Sequence, residues 1–162
     1  MTQTQKLLIA IGIVAVTGIA ANRFAPAGGV GSGGACRRFV NEARRTCYSQ
    51  LLSERLTKHG VAGAVATLDA LAAADADVAE HAHEFAHGLG IEAYGKSTDI
   101  VSTFDACGDG FSSGCRHGVI QAYFESREQV TQPEVEALCQ PFKSPGASRW
   151  VLFQCVHGWV TA

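Results

Sequence analysis

The chain has 162 residues, of which 47% are hydrophobic and 17% are charged, and these proportions are typical of a globular protein and not of a disordered one. Its net charge of −2 hides an uneven distribution. Residues 61–136 hold thirteen acidic and three basic side chains, whereas residues 36–60 hold six basic and two acidic ones. The acidic stretch favours cations and disfavours nucleic acid as a partner, and we interpret the basic stretch as a solvated helix face.

The N-terminal residues have the composition of an export segment. Residues 7–21 form an uncharged, mostly apolar run of fifteen residues, which fits the core of a signal peptide and is short for a membrane span. Residues 25–27 read Ala-Pro-Ala, the small-x-small form that a signal peptidase cuts. We therefore expect residues 1–27 to be a signal peptide or an uncleaved membrane anchor, followed by a Gly-rich linker at residues 28–35.

The domain that such a segment exports is expected at residues 36–162. About 125 residues are enough to bury one proper core, so a single domain is predicted. Its expected location is extracytoplasmic, either periplasmic or at the cell surface, with the protein secreted or anchored by residues 7–21. A membrane is then a partner only through that segment, if it is not removed.

Six cysteines fit the same compartment, because an even number in an exported chain predicts disulfides. They are Cys36, Cys47, Cys107, Cys115, Cys139 and Cys155. Six cysteines allow fifteen sets of pairs, and sequence alone does not choose among them. The pairs that close short loops, Cys107–Cys115 and Cys139–Cys155, are the natural local expectations.

The pair formed by Cys36 and Cys47 can be tested by helix geometry. The two cysteines lie on one apolar stripe, and in a continuous helix they would be about 16 Å apart. A disulfide requires Cα atoms within about 7 Å of each other. Either these cysteines bond to other partners, or the helix begins after Cys36.

Hydrophobic spacing, glycines and capping signals predict a series of helices and no strand. A helix over residues 77–94 begins at a capping box, and a helix over residues 131–139 combines a capping box with an early proline. Residues 96–112 are rich in Gly, Asp and Ser and predict a loop. Further helices are expected over residues 37–58, 61–74 and 115–127. We therefore expect an all-α, disulfide-stapled helical domain after the N-terminal segment.

Residues 83–87 read His-Glu-Phe-Ala-His, an HExxH sequence that places two imidazoles on one helical face. The motif resembles the zincin class of zinc metalloproteases. The resemblance implies that His83 and His87 bind zinc and that Glu84 activates a water molecule. It covers about eight residues, and its metzincin extension fails because Ala93 stands where that form has a histidine.

A His-Gly pair occurs three times, at His87, His117 and His157. In the last two copies a cysteine lies two residues before the histidine, which would staple the helix and fix where the imidazole points. A glycine beside each histidine makes sense if another helix or a bound ion approaches that backbone closely. We therefore predict one metal centre whose ligands are His83, His87, His117 and His157. The competing interpretation is that these histidines are hydrogen-bonded core groups.

Four imidazoles without a free thiolate suit zinc(II) or copper(II), and iron if a carboxylate joins them. Three histidines beside Glu84 would leave the open coordination position that hydrolytic zinc needs, whereas four would close it. The expected function is an extracytoplasmic metal-binding protein with a hydrolase-like zinc centre, although zincins usually present substrate along a sheet edge and no strand is predicted. Two alternatives stay open: a non-catalytic zinc or copper storage, carrier or sensor protein, and a purely structural disulfide-linked helical module.

The third His-Gly pair stands near the end of the chain. Only five residues follow His157, whereas its two counterparts continue for at least seven. We expect that the last helix is cut short or that the chain is a fragment. In the second case a further ligand would lie beyond Ala162.

Overall fold

A computed structural model describes residues 33–97, 99–143 and 149–161. This part of the chain contains α-helices, short 3-10 turns and no strand, so the predicted all-α, disulfide-stapled fold is confirmed. None of its helices is long and apolar enough to cross a membrane. The predicted export segment, residues 1–27, lies outside the described residues. The helices are α1 (Asn41–Ala74), α2 (Ala76–Glu80), α3 (Ala82–Ser97), α4 (Ile100–Ala106), α5 (Gly114–Glu125), α6 (Gln132–Cys139) and α7 (Arg149–Thr161).

Helix α1 joins the first two predicted helices across a kink at Gly60. The backbone of Gly60 has φ +69°, a left-handed conformation that glycine adopts without steric cost. Buried leucines on both sides of the kink, including Leu52 and Leu68, hold α1 against the core. The predicted break near residue 60 is therefore confirmed as a kink, at which the backbone of Gly60 is not helical and two helical segments meet.

The six cysteines form three disulfides. Helix α1 begins only at Asn41, so Cys36 lies in a preceding 3-10 turn and pairs with Cys47 at a Cα–Cα distance of 5.5 Å. The expected local pairs are confirmed, with Cα–Cα distances of 5.5 Å and 5.8 Å; they are Cys107–Cys115 and Cys139–Cys155. Three intramolecular disulfides indicate an oxidising, extracytoplasmic environment.

The predicted helix over residues 77–94 is two helices, and its predicted start is wrong. The N-cap is Asp75, whose carboxylate accepts a hydrogen bond from the backbone N–H of Asp77 at 3.2 Å. Helix α2 ends before His81, whose backbone leaves helical geometry at φ −102° and ψ 11°. The His81 ring makes a 2.9 Å hydrogen bond to the carbonyl of Asp77, a local bond of the kind that competes with helix propagation.

The prediction of a loop over residues 96–112 is wrong at its centre, where α4 forms. Asp99 caps this helix by accepting a hydrogen bond from the backbone N–H of Ser102 at 3.3 Å. Phe104 on α4 is fully buried, and its ring lies 4.6 Å from that of Phe142, measured between centroids. Burial of Phe104, together with Ile100 and Val101, which also pack against the core, stabilises this short helix.

Helices α1, α3, α5 and α7 pack in that order, so that α3 lies between α1 and α5, and α5 between α3 and α7. The closest contact is between α3 and α5, where two glycines face the opposite backbone. A Cβ on Gly90 would overlap the carbonyl oxygen of Cys115, and a Cβ on Gly118 would overlap that of His87. The sequence predicted that another helix or a bound ion approaches the glycine after each histidine. This is so at Gly118, whereas a Cβ on Gly88 would have no neighbour within 4 Å.

Asp75 connects the end of α1 to the start of α2. One of its carboxylate oxygens accepts hydrogen bonds of 2.6 Å from the Tyr48 hydroxyl and from the Arg44 guanidinium. The hydrogen bond from Tyr48, followed by those from Arg44 and from the backbone N–H of Asp77, lowers the pKa of Asp75 from 3.8 to about 2. The side chain is nearly buried, which limits screening by solvent.

Asp75→Asn is expected to lower the free energy of unfolding by about 1–2 kcal/mol at pH 7. The native carboxylate contributes its stability above the unfolded pKa of 3.8 and loses it as the pH falls towards about 2. The free energy of unfolding of the variant, measured by urea denaturation, should therefore fall less between pH 4 and pH 2 than that of the native protein. Asp69→Asn, at an exposed position of α1, is the control and should not change how the free energy of unfolding varies with pH. Equal effects of the two substitutions would contradict this role of Asp75.

Candidate functional site

The four histidines singled out in the sequence form a series of ring contacts, which we call the histidine cluster. The centroids of His83 and His87 are 6.4 Å apart, those of His83 and His117 are 5.8 Å apart, and those of His117 and His157 are 5.4 Å apart. Two of these side chains come from α3, one from α5 and one from α7. The structure thus brings together imidazoles that are up to 74 positions apart in the sequence.

The helix packing explains why these rings meet. His83 and His87 are one turn apart on α3, so their side chains share the helical face that meets α5. His117 lies in the first turn of α5, and the neighbouring Gly118 lets the backbone of α5 approach the carbonyl of His87. Helix α7 packs on α5 and places His157 beside His117.

Two rings of the histidine cluster are hydrogen-bonded to other parts of the protein. Nδ1 of His83 lies 2.9 Å from the backbone carbonyl of Phe111, and because a carbonyl only accepts, this nitrogen carries the proton. Nε2 of His117 lies 2.5 Å from Oε1 of Gln154, to which it donates. Gln154 is only 2% exposed, so the imidazole satisfies an amide oxygen that has little access to water.

The surroundings of His87 and His117 favour neutral rings. Burial lowers the pKa of His87, and the adjacent ring of His83 lowers it further. Burial is also the largest cause of the lowered pKa of His117; its hydrogen bond to Gln154 acts in the opposite direction, and the neighbouring histidines lower the pKa further. Both imidazoles are therefore neutral at pH 7.

We searched the described side chains for a group that could hold a metal ion. Within residues 33–97, 99–143 and 149–161, no group of three or more His, Cys, Asp or Glu side chains could hold one. Ring contact is a weaker condition than ligation, which requires several nitrogens within about 2.1 Å of one point. His83 and His117 each donate from one ring nitrogen, which leaves the lone pair of the other nitrogen, and all six cysteines are in disulfides and are not ligands.

A comparison with protein-family models, with curated proteins and with solved structures found no match. This result and the side-chain geometry overturn the resemblance to zincin metalloproteases that residues 83–87 suggested. The HExxH spacing is the i, i+4 spacing of one helical turn, and here it aligns two rings for packing against α5. Ligation of a metal by His83, His87, His117 and His157 stays a prediction.

Glu84 faces a different part of the molecule. Consecutive helix residues point about 100° apart, so the side chain next to His83 turns towards α1. There it lines a cavity of about 650 Å³ together with Arg45, Phe85 and Glu92. The catalytic role of Glu84 came only from the zincin resemblance, and it is not proposed further.

Sequence reasoning missed Gln154 and the residues around His87. Gln154 lies three positions before His157 on α7, and the polar neighbours of His87 on α5 are Gln121 and Glu125. Glutamines at i−3 and i+4 from a histidine are the available sequence signal, because these positions share a helical face. That signal is weak, since the same spacing occurs on solvent-exposed helix faces.

Proposed function

We propose that the chain is a non-catalytic, extracytoplasmic helical module whose histidine cluster joins α3, α5 and α7 through polar contacts. The module is periplasmic or at the cell surface, either secreted or held there by residues 7–21. The observation that carries the proposal is that His83 and His117 each donate a hydrogen bond to a different element of the fold. His83 is exposed, whereas His117 donates to the buried amide of Gln154, and a buried hydrogen bond of this second kind specifies how two helices dock.

The disulfides support the same proposal. Cys115 and Cys155 each precede a histidine of the cluster by two residues, and each is bonded to the element that comes before its own helix. Cys115 lies at the start of α5 and Cys155 in the middle of α7, and each bond restricts the position of its helix and therefore where the imidazole two positions later points. The repeated Cys-x-His pattern is in this interpretation a device for positioning helices α5 and α7.

A second candidate is a non-catalytic carrier of a transition metal such as copper. The observation in its favour is the unbroken series of ring contacts, in which the neutral rings of His87 and His117 are in the form that binds metals. Ligation would use the other nitrogen of each ring, Nε2 of His83 and Nδ1 of His117, and would require the rings to move until these nitrogens converge on one point. The two candidates differ in the metal content that they predict for the purified protein.

His117→Leu is expected to lower the free energy of unfolding by about 2 kcal/mol, because the amide of Gln154 then stays buried without its donor. His117→Gln supplies an N–H near the position of Nε2, so its expected cost is below about 1 kcal/mol. Urea denaturation at pH 7 in the presence of a chelator measures both values. Equal losses for the two variants would contradict the hydrogen-bonding role of His117.

The pH dependence of stability tests the burial of His87 and His117, which is the largest cause of their lowered pKa values. In the unfolded chain these histidines have the ordinary pKa of 6.5, whereas in the folded chain their pKa values are lower. At a pH between the two values the unfolded chain therefore binds more protons than the folded chain. The free energy of unfolding should therefore fall as the pH is lowered from 7 to 5. The groups that set this slope are His87 and His117, flanked by His83, His157 and Glu125. In His117→Gln the slope should be shallower, and an unchanged or reversed slope would contradict the account.

A further inference from the structure

Helices α1 and α3 border a groove of about 650 Å³, a volume within the range of small-molecule sites. The described residues that line it include no member of the histidine cluster, so the groove is a separate feature of the fold. Its base is apolar, because Leu52, Phe85 and Leu89 line it and are buried. We call this space the α1–α3 groove.

Gly88 leaves the α1–α3 groove open in the middle of α3. It lines the groove and is exposed, and a Cβ there would have no neighbour within 4 Å. Glycine is less favourable than alanine in a helix interior, so a close approach of other atoms is its usual explanation. Gly90 and Gly118 have that explanation within the fold, whereas no described part of the protein approaches the Cβ position of Gly88. An occupant of the groove would supply the explanation at Gly88.

The charged groups of the α1–α3 groove are mostly acidic. Three glutamates and one arginine line it; they are Glu42, Arg45, Glu84 and Glu92. Arg45 forms an ion pair with Glu42 at 2.7 Å, and Glu92 forms one at 3.2 Å with Lys96, which does not line the groove. Glu84 is exposed and makes no hydrogen bond or ion pair within the described residues, although it lies within electrostatic range of Arg45. The groove therefore keeps a net negative charge, which favours a cationic occupant.

The positions of the polar groups favour an elongated cation. Glu84 and Glu92 are eight positions apart on α3, which is about 12 Å along the helix axis. Across the groove, α1 presents three exposed polar side chains whose oxygens can accept hydrogen bonds; they are Thr46, Ser49 and Gln50. Ammonium groups only donate hydrogen bonds, so acceptors on both sides of the groove suit them.

We propose that the α1–α3 groove binds a linear aliphatic polyamine. One terminal ammonium group pairs with Glu84 and the other reaches Glu92 beside Lys96, because the spacing of the two glutamates along α3 is close to the length of an extended spermidine molecule. The methylene groups between the nitrogens lie over the apolar base of the groove and occupy the open space beside Gly88.

Isothermal titration calorimetry of the full chain with spermidine, at pH 7 and low ionic strength, tests the proposal. Spermidine should bind at one site. Putrescine, whose ammonium groups are too close together to reach both glutamates, should bind about tenfold more weakly. Glu84→Gln should also weaken the binding of spermidine about tenfold, because it removes the carboxylate that pairs with one ammonium group. Glu128→Gln removes an exposed carboxylate outside the groove and should leave the affinity unchanged.

A second variant tests the shape of the groove without changing its charge. Gly88→Phe places a ring where a Cβ would have no neighbour, so it should fill the groove and leave the packing of α3 intact. Spermidine should bind this variant about tenfold more weakly than the native protein, or not at all. Circular dichroism checks that each variant is folded, and Glu84→Gln remains as the test if Gly88→Phe is not. The proposal is overturned by the absence of saturable binding, by equal affinities for the two amines, or by native affinity in folded Gly88→Phe, which would indicate adsorption to the acidic surface.

Discussion

Gly118→Ala is expected to lower the free energy of unfolding by about 3 kcal/mol, the largest effect of any single substitution considered for this fold. The added Cβ would overlap the carbonyl oxygen of His87 and lie 2.9 Å from the backbone N of Ile91. These are backbone atoms, so they cannot rotate away as the end of a flexible side chain does. Helices α3 and α5 would have to separate, and urea denaturation at pH 7 measures the cost.

Gly88→Ala is the matched control for this prediction. Gly88 also follows a histidine, and it lies inside α3, but a Cβ there would have no neighbour within 4 Å. Alanine is favoured over glycine in a helix interior, so the substitution should raise the free energy of unfolding by about 0.5–1 kcal/mol. Opposite signs for the two alanine variants support the packing of α3 on α5, and equal destabilisation contradicts it.

Removal of the Cys139–Cys155 disulfide is expected to cost about 3 kcal/mol, because the bond closes a 16-residue separation in the unfolded chain. The double serine variant should therefore unfold at a lower urea concentration than the native protein. The shorter Cys107–Cys115 bond, with a separation of 8, should cost about 2.5 kcal/mol by the same entropic argument. A near-zero cost for both pairs would contradict the view that disulfides staple this domain.

A double-mutant cycle connects this disulfide to the histidine cluster. Cys155 is adjacent to Gln154, so loss of the bond frees the part of α7 that accepts the hydrogen bond of His117. His117→Leu should therefore destabilise the double serine variant less than it destabilises the native protein. Fully additive losses would show that the disulfide and the hydrogen bond act independently.

Local signals predicted several elements of the fold, although the capping box expected at residue 77 is wrong because Asp75 caps α2 instead. The capping box of α6 is present, with Thr131 and Glu134 bonded reciprocally, and both short-loop disulfides form as expected. Helix α4 was missed because its stability comes from Phe104, which is buried against a residue that is distant in sequence. Propensity and composition carry no information about such a contact.

The candidate site shows where sequence reasoning reaches its limit. The repeated His-Gly pairs indicated residues that pack where helices approach closely, and Gly118 fulfils that role. They could not distinguish a packed, hydrogen-bonded imidazole from a metal ligand, because both need a polar ring in a confined place. The two cases differ in whether several ring nitrogens converge on one point, and that depends on the packing of α3, α5 and α7, which no spacing rule identifies.

Metal content tests the central claim most directly. The full chain is equilibrated with copper(II) and zinc(II), freed of excess ions by gel filtration, and examined by elemental analysis beside His83→Ala and His117→Ala. If the histidine cluster is a structural contact, all three proteins should contain the same trace amount, far below stoichiometric. About one metal ion per chain in the native protein, lost in both variants, would contradict the account.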